Sequence, residues 1–355
     1  RHGIVGPGGA RRLESPLSIR IRMNRRHSRA TPSARGDAGH AHHAHEHGHE
    51  HGSAHDPGHG AHDHGQYGFP ALGRKPGVYL VSPSGAVPER ERIDQARVHL
   101  KALGFQPVLD RAALLRDQRF AGTDEQRLAA LERACSQKHP IVMATRGGYG
   151  LSRLLPRIDW KAMADSGKRF VGHSDFTFFQ LALLAKTGAI SYAGPMASFD
   201  FGGKRVDDLT AALFAEALRG ELEILSFESE QADPVDCRGI LWGGNLAVLT
   251  SLLGTPYFPR IRGILFLEDV NEHPYRVERM LVQLAQAGVL AKQRAIVLGS
   301  FTDYKLTAHD DGYDLSSVIA WLRKEVKVPV VPGLPFGHVR TKATLPVGAK
   351  VGLAT

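Results

Sequence analysis

The sequence predicts an α/β protein built on a mostly parallel sheet, and three observations support this fold class. From about residue 77 onward, short apolar runs typical of buried strands alternate with segments that have the apolar spacing of helices. Several of these runs end in glycine- or serine-containing turns, as strands do at the functional edge of a parallel sheet. The preceding chain has almost no apolar periodicity. About 285 residues remain for folding, enough for two modest domains or one large one.

The first 69 residues are predicted to be a disordered, histidine-rich tail. Thirteen of the 19 histidines lie there, and 11 of these fall between His40 and His64, separated mainly by Gly, Ala, Asp and Glu. Such a segment buries too little apolar surface to offset its ordering entropy. Two interpretations stay open, a site for Zn²⁺, Ni²⁺ or Cu²⁺ and a solvated linker. Met23 is a candidate translation start, and the twin arginine after it lacks the apolar stretch of an export signal.

Composition narrows the function classes. The net charge is +9, but no basic run is interleaved with aromatic residues, so nucleic-acid binding is not predicted. The two cysteines, Cys135 and Cys237, imply no disulfide framework and fit a reducing, cytoplasmic compartment. No apolar run reaches the roughly 18 residues of a membrane span. A basic surface could instead attract an acidic small substrate.

Residues 70–198 alternate strands and helices regularly, and we predict them as the first domain. Thr123 is the predicted N-cap of the second helix, with Gln126 in the capping-box position. Turns follow three of the strands, at Ser84, at residues 146–150 and at Ser174, and the carboxyl ends of parallel strands share one edge of a sheet. Strands are predicted at 77–85 (including its turn), 105–109, 140–144 and 169–172, and helices at 88–103, 123–136 and 178–187.

Residues 199–236 are predicted as a linker containing a helix at 207–218, and residues 237–355 as the second domain. The strand at 263–269 ends in two acidic residues, and residues 343–353 have strand-like alternation. The other predicted elements of this domain are strands at 238–245, 295–299 and 329–331 and helices at 246–253 and 274–287.

Gly172-His173-Ser174-Asp175 lies where a strand is predicted to meet a helix. A serine on such a turn has its hydroxyl held away from the backbone and faces the N–H groups that open the helix. That geometry suits a nucleophile. Serine is also a common N-cap and turn residue, so the motif alone leaves both interpretations open.

Two further residues could activate this serine. A serine hydroxyl needs a general base, and a carboxylate makes that base effective by fixing its tautomer and stabilising the imidazolium. His338 lies in a Pro/Gly-rich loop, and Glu268 ends an apolar strand, where a buried carboxylate needs a partner. Ser174, Glu268 and His338 would supply all three parts. Asp269 and Glu272 remain rival carboxylates, and a structural loop histidine remains the alternative for His338.

Five short motifs occur in order along the chain. They are Arg146-Gly147-Gly148-Tyr149-Gly150, Gly172-His173-Ser174-Asp175, Leu241-Trp242-Gly243-Gly244-Asn245, Leu267-Glu268-Asp269 and Gly337-His338. Together they resemble the LD-carboxypeptidase family, the serine peptidases of muropeptide recycling that are related to the microcin C immunity peptidases. The resemblance covers the chain from about residue 76 onward. Within the second motif, His173 stands where Tyr or another residue is more usual.

The resemblance implies a Ser-Glu-His triad, with Ser174, Glu268 and His338 in its positions. It implies an N-terminal flavodoxin-like parallel-sheet domain and a C-terminal swivelling β/α domain that brings the Glu and His to the Ser. The implied reaction hydrolyses an amide between an L-centre and a terminal D-residue, typically D-Ala after meso-diaminopimelate in the murein tetrapeptide. We expect no cofactor and no metal ion in the folded part.

The glycine turn is expected to contribute to an oxyanion hole. Its donors would be the backbone N–H groups of Asp175 and Gly148, because a glycine turn allows close backbone approach. A plain tight turn is the alternative, and a phosphate cradle is weakly supported because no Lys-Ser/Thr pair follows. The predicted substrate-binding residues are Arg146, Tyr149, Trp242 and Asn245. The alternative for Trp242 is a core residue, and the alternative for Asn245 is a helix cap.

Two other functions remain under consideration. One is an immunity peptidase that cleaves a peptidyl-nucleotide antibiotic with the same catalytic residues. The other is a metal-binding module led by the histidine-rich tail. The oligomeric state is left open, with a homodimer as one alternative.

Overall fold

The computed structural model describes residues 17–23, 69 and 71–355. These residues form two sheets with helices packed on and between them. The fold class predicted from the sequence is confirmed.

The first sheet has six strands in the order β12-β6-β5-β4-β2-β3. Its first five strands in chain order are parallel, and the last pairs antiparallel with β6. The spatial order of those five strands, second-first-third-fourth-fifth, is the flavodoxin-like arrangement. The strands are β2 (Gly77–Val81), β3 (Gln106–Leu109), β4 (Ile141–Ala144), β5 (Arg169–Gly172), β6 (Ser191–Ala193) and β12 (Leu345–Val347).

Helices cover both faces of this sheet. Alternate residues of β2 point to opposite faces, so Val78 and Leu80 join one apolar cluster while Tyr79 and Val81 join another. Helices α1 and α5 pack on the first of these faces, and α2, α3 and α4 pack on the other. The helices are α1 (Arg90–Ala102), α2 (Asp124–Ser136), α3 (Trp160–Asp165), α4 (Thr177–Thr187) and α5 (Asp208–Arg219).

The second sheet has seven strands in the order β11-β10-β9-β8-β13-β1-β7. The four strands from β11 to β8 are parallel, and the remaining pairings are antiparallel. The strands are β1 (Leu17–Met23), β7 (Ile224–Ser229), β8 (Asp236–Asn245), β9 (Ile264–Val270), β10 (Ala295–Thr302), β11 (Val330–Val331) and β13 (Lys350–Ala354). Its helices are α6 (Leu246–Ser251), α7 (Pro274–Gln286) and α8 (Leu315–Glu325).

One apolar core joins the two sheets. It extends from the first sheet through α4 to β8 and α6, and it includes Phe179, Trp242 and Leu246. A polar contact follows the same path, since the backbone N–H of Asn245 donates to Thr177 Oγ1 at 3.2 Å. The start of α4 is therefore held directly against the junction of β8 and α6.

The predicted disordered tail is wrong for Leu17–Met23, which form β1. This strand lies between β7 and β13, and Ile19 and Ile21 are fully buried. The alternation of Leu17, Ile19, Ile21 and Met23 with polar residues is the period-two signal of a half-buried strand. The pairing also places a strand ahead of the candidate start at Met23. The histidine-rich stretch between His40 and His64, with its predicted metal binding, lies outside the described residues.

The predicted domain limits also differ from the arrangement of the sheets. Residues 199–236, predicted as a linker with one helix, contribute α5 and also strand β7 of the second sheet. Residues 345–347 of the predicted second domain add an edge strand to the first sheet. The chain thus passes between the two sheets several times. Within the described residues, no helix is long and apolar enough to cross a membrane.

Candidate active site

The predicted strand–turn–helix around Ser174 is present. Strand β5 ends at Gly172, Ser174–Phe176 form one 3₁₀ turn, and α4 follows directly. Ser174 has φ of +61°, in the left-handed region that non-glycine residues rarely occupy. Such strain persists only where the surroundings impose it. A Cβ at Gly172 would lie 2.8 Å from the Phe176 ring, so the sharp turn also requires that glycine.

The glycine turn after β4 lies against this serine. A Cβ at Gly147 would lie 2.8 Å from Ser174 Oγ and 3.3 Å from the backbone N of Asp175. Gly85 N donates to the Gly147 carbonyl at 3.0 Å, which fixes the orientation of that peptide. Because a trans peptide directs its C=O and N–H oppositely, the N–H of Gly148 points away from Gly85. The absence of a side chain at Gly147 leaves space beside the hydroxyl and the Asp175 N–H.

The side chain of Asp175 is directed into the protein. Its Oδ2 accepts a hydrogen bond from the backbone N of Leu151 at 3.0 Å. Burial raises the pKa of this carboxyl, and hydrogen bonds and the charge of Arg127 oppose the rise. Asp175 therefore anchors the residues after the glycine turn to the start of the helix that follows Ser174.

Glu268 and His338 are in contact. Glu268 lies near the end of β9 and is fully buried, and its Oε2 is 2.9 Å from His338 Nδ1. Since a carboxylate only accepts, Nδ1 carries the proton and Nε2 is the free acceptor of the neutral ring. The preceding Gly337 has φ of +139°, and a Cβ there would lie 3.0 Å from the Ser300 carbonyl oxygen. The turn that presents His338 thus depends on glycine.

Ser174 and His338 line one cavity of about 360 Å³. The nucleophile candidate comes from the first sheet, and the Glu–His pair comes from strand β9 and the loop after β11. The structure therefore brings together the three residues predicted for the triad, and it pairs the histidine with Glu268 rather than with Asp269 or Glu272.

Asp269 points to the other side of β9, as alternation along a strand requires. Its Oδ1 accepts from Asn245 Nδ2 at 2.9 Å, and its Oδ2 accepts from the backbone N of Ala247 at 2.8 Å. Burial, with a smaller contribution from the charge of Glu268, raises the pKa of Asp269 to about 6. Asn245 Nδ2 also donates to Glu268 Oε1 at 3.2 Å. Asn245 thus links the two carboxylates.

Of the four predicted substrate-binding residues, Arg146 lies in the cavity wall, where its Nη1 donates to the Ala86 carbonyl at 2.8 Å. Tyr149 is 42 % exposed and packs against Phe120, outside the residues that line the cavity.

Trp242 and Asn245 have the structural roles that were the alternatives to substrate binding, a core residue and a helix cap. Trp242 is fully buried and donates its indole N–H to Gln293 Oε1 at 3.0 Å, so it is a core residue. Asn245 is buried and caps α6, its Oδ1 accepting from Val248 N at 3.1 Å. Neither residue is among those that line the cavity.

Sequence reasoning missed one wall of the cavity. A π-helix, Ala197–Phe201, contributes Ser198 and the half-exposed Phe199, and Met196 precedes it. Pi-helical turns are rare, and those that occur are frequently at functional sites. No spacing of residues in the sequence predicts such a turn. Residues at the start of α1 complete this wall: Pro88, Glu89 and Arg92.

Within the described residues, no cluster of three or more His, Cys, Asp or Glu side chains is placed to hold a metal ion. The site combines a strained serine, a carboxylate-bound histidine and backbone donors around a shared cavity. Such a combination can support nucleophilic attack on a carbonyl carbon.

The chain belongs to the LD-carboxypeptidase family. Residues 78–194 match the LD-carboxypeptidase N-terminal domain, and residues 238–353 match the LD-carboxypeptidase C-terminal domain. The resemblance inferred from the five motifs is thereby confirmed. Strand β1 lies outside both matched ranges.

Individual proteins agree with this membership. A Bacillus subtilis protein named "Probable murein peptide carboxypeptidase" is 34% identical over 291 residues, covering 80% of this chain and 91% of that protein. The crystal structure of muramoyltetrapeptide carboxypeptidase from Oxalobacter formigenes is 43% identical with a TM-score of 0.72, covering 78% of this chain and 97% of that one. The structure of MccF in complex with glutamyl sulfamoyl guanosine, at 22% identity and a TM-score of 0.72, covers 81% of this chain and 98% of that one and shows a shared fold.

Proposed function

We propose that this protein is a serine-type LD-carboxypeptidase that releases the terminal D-Ala from murein tetrapeptide during cytoplasmic peptidoglycan recycling. The observation that carries the proposal is the 2.9 Å contact of Glu268 with His338 at the cavity that the strained Ser174 also lines. Family membership and the muramoyltetrapeptide carboxypeptidase of Oxalobacter formigenes support the substrate class.

In the proposed reaction, Ser174 Oγ attacks the carbonyl carbon of the scissile amide while His338 Nε2 takes the hydroxyl proton. The Glu268 carboxylate holds the His338 tautomer that leaves Nε2 free and stabilises the imidazolium once it forms. The negative charge that develops on the carbonyl oxygen is stabilised by the N–H groups of Asp175 and Gly148, which need no reorganisation.

His338 then donates this proton to the leaving nitrogen, the C–N bond breaks, and D-Ala departs as the free amino acid, while the rest of the peptide stays as an ester on Ser174. In the second half of the reaction, water attacks this ester while His338 takes a proton from the water. The C–O bond to Ser174 then breaks, His338 returns the proton to Ser174 Oγ, and the shortened peptide leaves with a new carboxylate. Among the residues that the structure describes, two arginines line the cavity, and because Arg92 pairs with Glu89, we assign Arg146 to a carboxylate of the substrate.

The decisive test is incubation of wild-type and Ser174→Ala protein with L-Ala-γ-D-Glu-meso-diaminopimelate-D-Ala, followed by measurement of free D-Ala. We expect release by the wild type and a loss of several powers of ten in the variant at equal fold content. Activity of Ser174→Ala above about a tenth of wild type contradicts the assignment of the nucleophile.

A substrate panel addresses the choice of substrate separately. The same peptide ending in L-Ala should be a poor substrate, and a peptidyl-nucleotide should be cleaved more slowly than the tetrapeptide. Preferred cleavage of the peptidyl-nucleotide with Ser174 still essential would retain the mechanism and replace the biological role by that of an immunity peptidase.

A further inference from the structure

The loop that carries His338 is hydrogen-bonded both to the second sheet, which contains Glu268, and to helix α5 of the first sheet. On one side, His338 binds Glu268, and Ser300 N donates to the Phe336 carbonyl at 2.8 Å. Two to four residues later the same loop is attached to α5, because Thr210 Oγ1 donates to the Arg340 carbonyl at 3.0 Å and accepts from Lys342 N at 2.9 Å. The loop thus spans the gap between the sheet of Glu268 and the sheet of Ser174.

The side chain of Lys342 ends beside the first sheet, next to the nucleophile turn. It is fully buried, and its Nζ lies 2.6 Å from Asp200 Oδ1 and 3.4 Å from His173 Nε2. The ammonium also lies 5.0 Å from the ring centroid of Phe199, within the range of a cation–π contact. Asp200 belongs to the π-helix of the cavity wall, and its Oδ2 accepts from Met196 N at 2.7 Å.

His173 extends this cluster to the nucleophile. Its Nδ1 lies 2.9 Å from the Gly194 carbonyl oxygen, which can only accept, so Nδ1 carries the proton and Nε2 faces Lys342 as an acceptor. Burial lowers the pKa of His173 well below its ordinary value, and the charge of Lys342 adds to the effect, so the ring stays neutral. His173 directly precedes Ser174, and its ring centroid is 5.2 Å from that of His338.

A buried ion pair is weak evidence for stability, because the cost of removing two charges from water can exceed the gain from their attraction. In some proteins such a pair instead specifies a defined geometry, and registry is its best-attested use. Here the pair joins the loop of the base to a segment that contacts both the nucleophile turn and the cavity wall. A misplacement of about 1 Å between reacting groups can cost about 100-fold in rate.

We propose that Lys342 is a positioning residue, which through its ion pair with Asp200 and its contact with His173 holds the loop of His338 in register with Ser174. This inference rests on the proposed function, in which His338 removes the proton of Ser174. Lys342 is fully buried, so its effect passes through His338 and the cavity wall rather than through contact with the peptide.

The test compares Lys342→Met, which retains the length of the side chain without its charge, with Lys350→Met on the exposed face of β13. We expect Lys342→Met to lower kcat for D-Ala release at least about tenfold with KM within about threefold, because geometry rather than peptide binding is lost. The reaction of Ser174 with a fluorophosphonate should slow by a similar factor, since it depends on the same serine–histidine geometry. Lys350→Met should match the wild type in both assays.

A folded Lys342→Met with kcat within about twofold of wild type overturns the inference, as does a raised KM at unchanged kcat. If Lys342→Met does not fold, Asp200→Asn, which preserves the shape of the partner, decides by the same criteria. The double variant Lys342→Met/Asp200→Asn should stay slow, and its return to wild-type kcat would overturn the inference, because the loop would then keep its position without the ion pair. Ser174→Ala distinguishes failure of this inference from failure of the proposed function. An inactive Ser174→Ala with a fully active Lys342→Met refutes this inference alone. An active Ser174→Ala refutes the proposed function.

Discussion

The region around Ser174 and the region around Glu268 are built in opposite ways. The Ser174 turn depends on backbone conformation. Ser174 itself has φ of +61°, Gly172 and Gly147 have no room for a side chain, and helix α4 begins directly after the turn. Glu268 lies in strand β9, beside an irregularity in its pairing with β10, and its carboxylate is held by side-chain hydrogen bonds from Asn245 and His338. The comparison teaches that added bulk should damage the serine turn most, whereas removal of a charge should damage the carboxylate–histidine pair most.

Glu268→Gln should have the largest effect among the variants that test this comparison. The amide keeps the shape of the side chain but removes the charge that stabilises the imidazolium and fixes the tautomer. We expect kcat to fall by about 1000-fold or more, with little change in KM. Steady-state kinetics of D-Ala release measures this effect, with circular dichroism to verify equal fold content.

Asp269→Asn is the matched variant on the opposite side of β9. Because Asp269 bonds to Asn245 and to the backbone rather than to His338, its loss should lower kcat much less. If the two variants rank in the reverse order at equal fold content, the carboxylate of the triad is misassigned by one residue.

Gly147→Ala tests the steric side of the comparison. Its methyl group would lie 2.8 Å from Ser174 Oγ and 3.3 Å from Asp175 N, so it would fill the space expected for the oxyanion. We expect kcat to fall by about 100-fold, the typical effect of losing an oxyanion donor. Gly352→Ala is the control, since its methyl would have no atom closer than 3.8 Å. Normal turnover by a folded Gly147→Ala would place the oxyanion hole elsewhere.

Ile21→Ala tests whether β1 stabilises the sheet of Glu268. Ile21 is fully buried, and removing a buried isoleucine to alanine costs about 2–5 kcal/mol. Urea unfolding should show a free energy of unfolding lower by about 3 kcal/mol, within that range. The adjacent exposed Arg20, changed to Ala, should shift it by less than about 0.5 kcal/mol. Equal stability of both variants would show that β1 does not pack as described.

The smallest expected effect concerns the pH dependence of stability. The folded-state pKa of Asp269, about 6, lies above its ordinary value of 3.8, so its contribution favours the folded state below that ordinary value. This contribution is lost as the pH rises through about 6. Between pH 4 and pH 7 the free energy of unfolding of the wild type should therefore fall relative to Asp269→Asn, on the order of 1–3 kcal/mol.

A constant difference in stability between wild type and Asp269→Asn across this pH range would contradict the raised pKa.

The amino-acid sequence was sufficient for features that depend on neighbouring residues. The strand–turn–helix around Ser174, the glycine turn at residues 146–150 and the capping box of Thr123 and Gln126 all arise from residues a few positions apart. The alternation of strands and helices was sufficient for the fold class. Glu268 and His338 were identified as candidates by residue type and by resemblance to the family, while their contact spans 70 positions.

Features that depend on distant packing became known only from the three-dimensional arrangement. Local pattern does not specify which strands a segment lies between, so β1 was assigned to a tail and Trp242 to a groove. The Lys342–Asp200 pair joins residues 142 positions apart. Such contacts form because burial of the whole core brings the segments together, and no short-range signal in the chain encodes that burial.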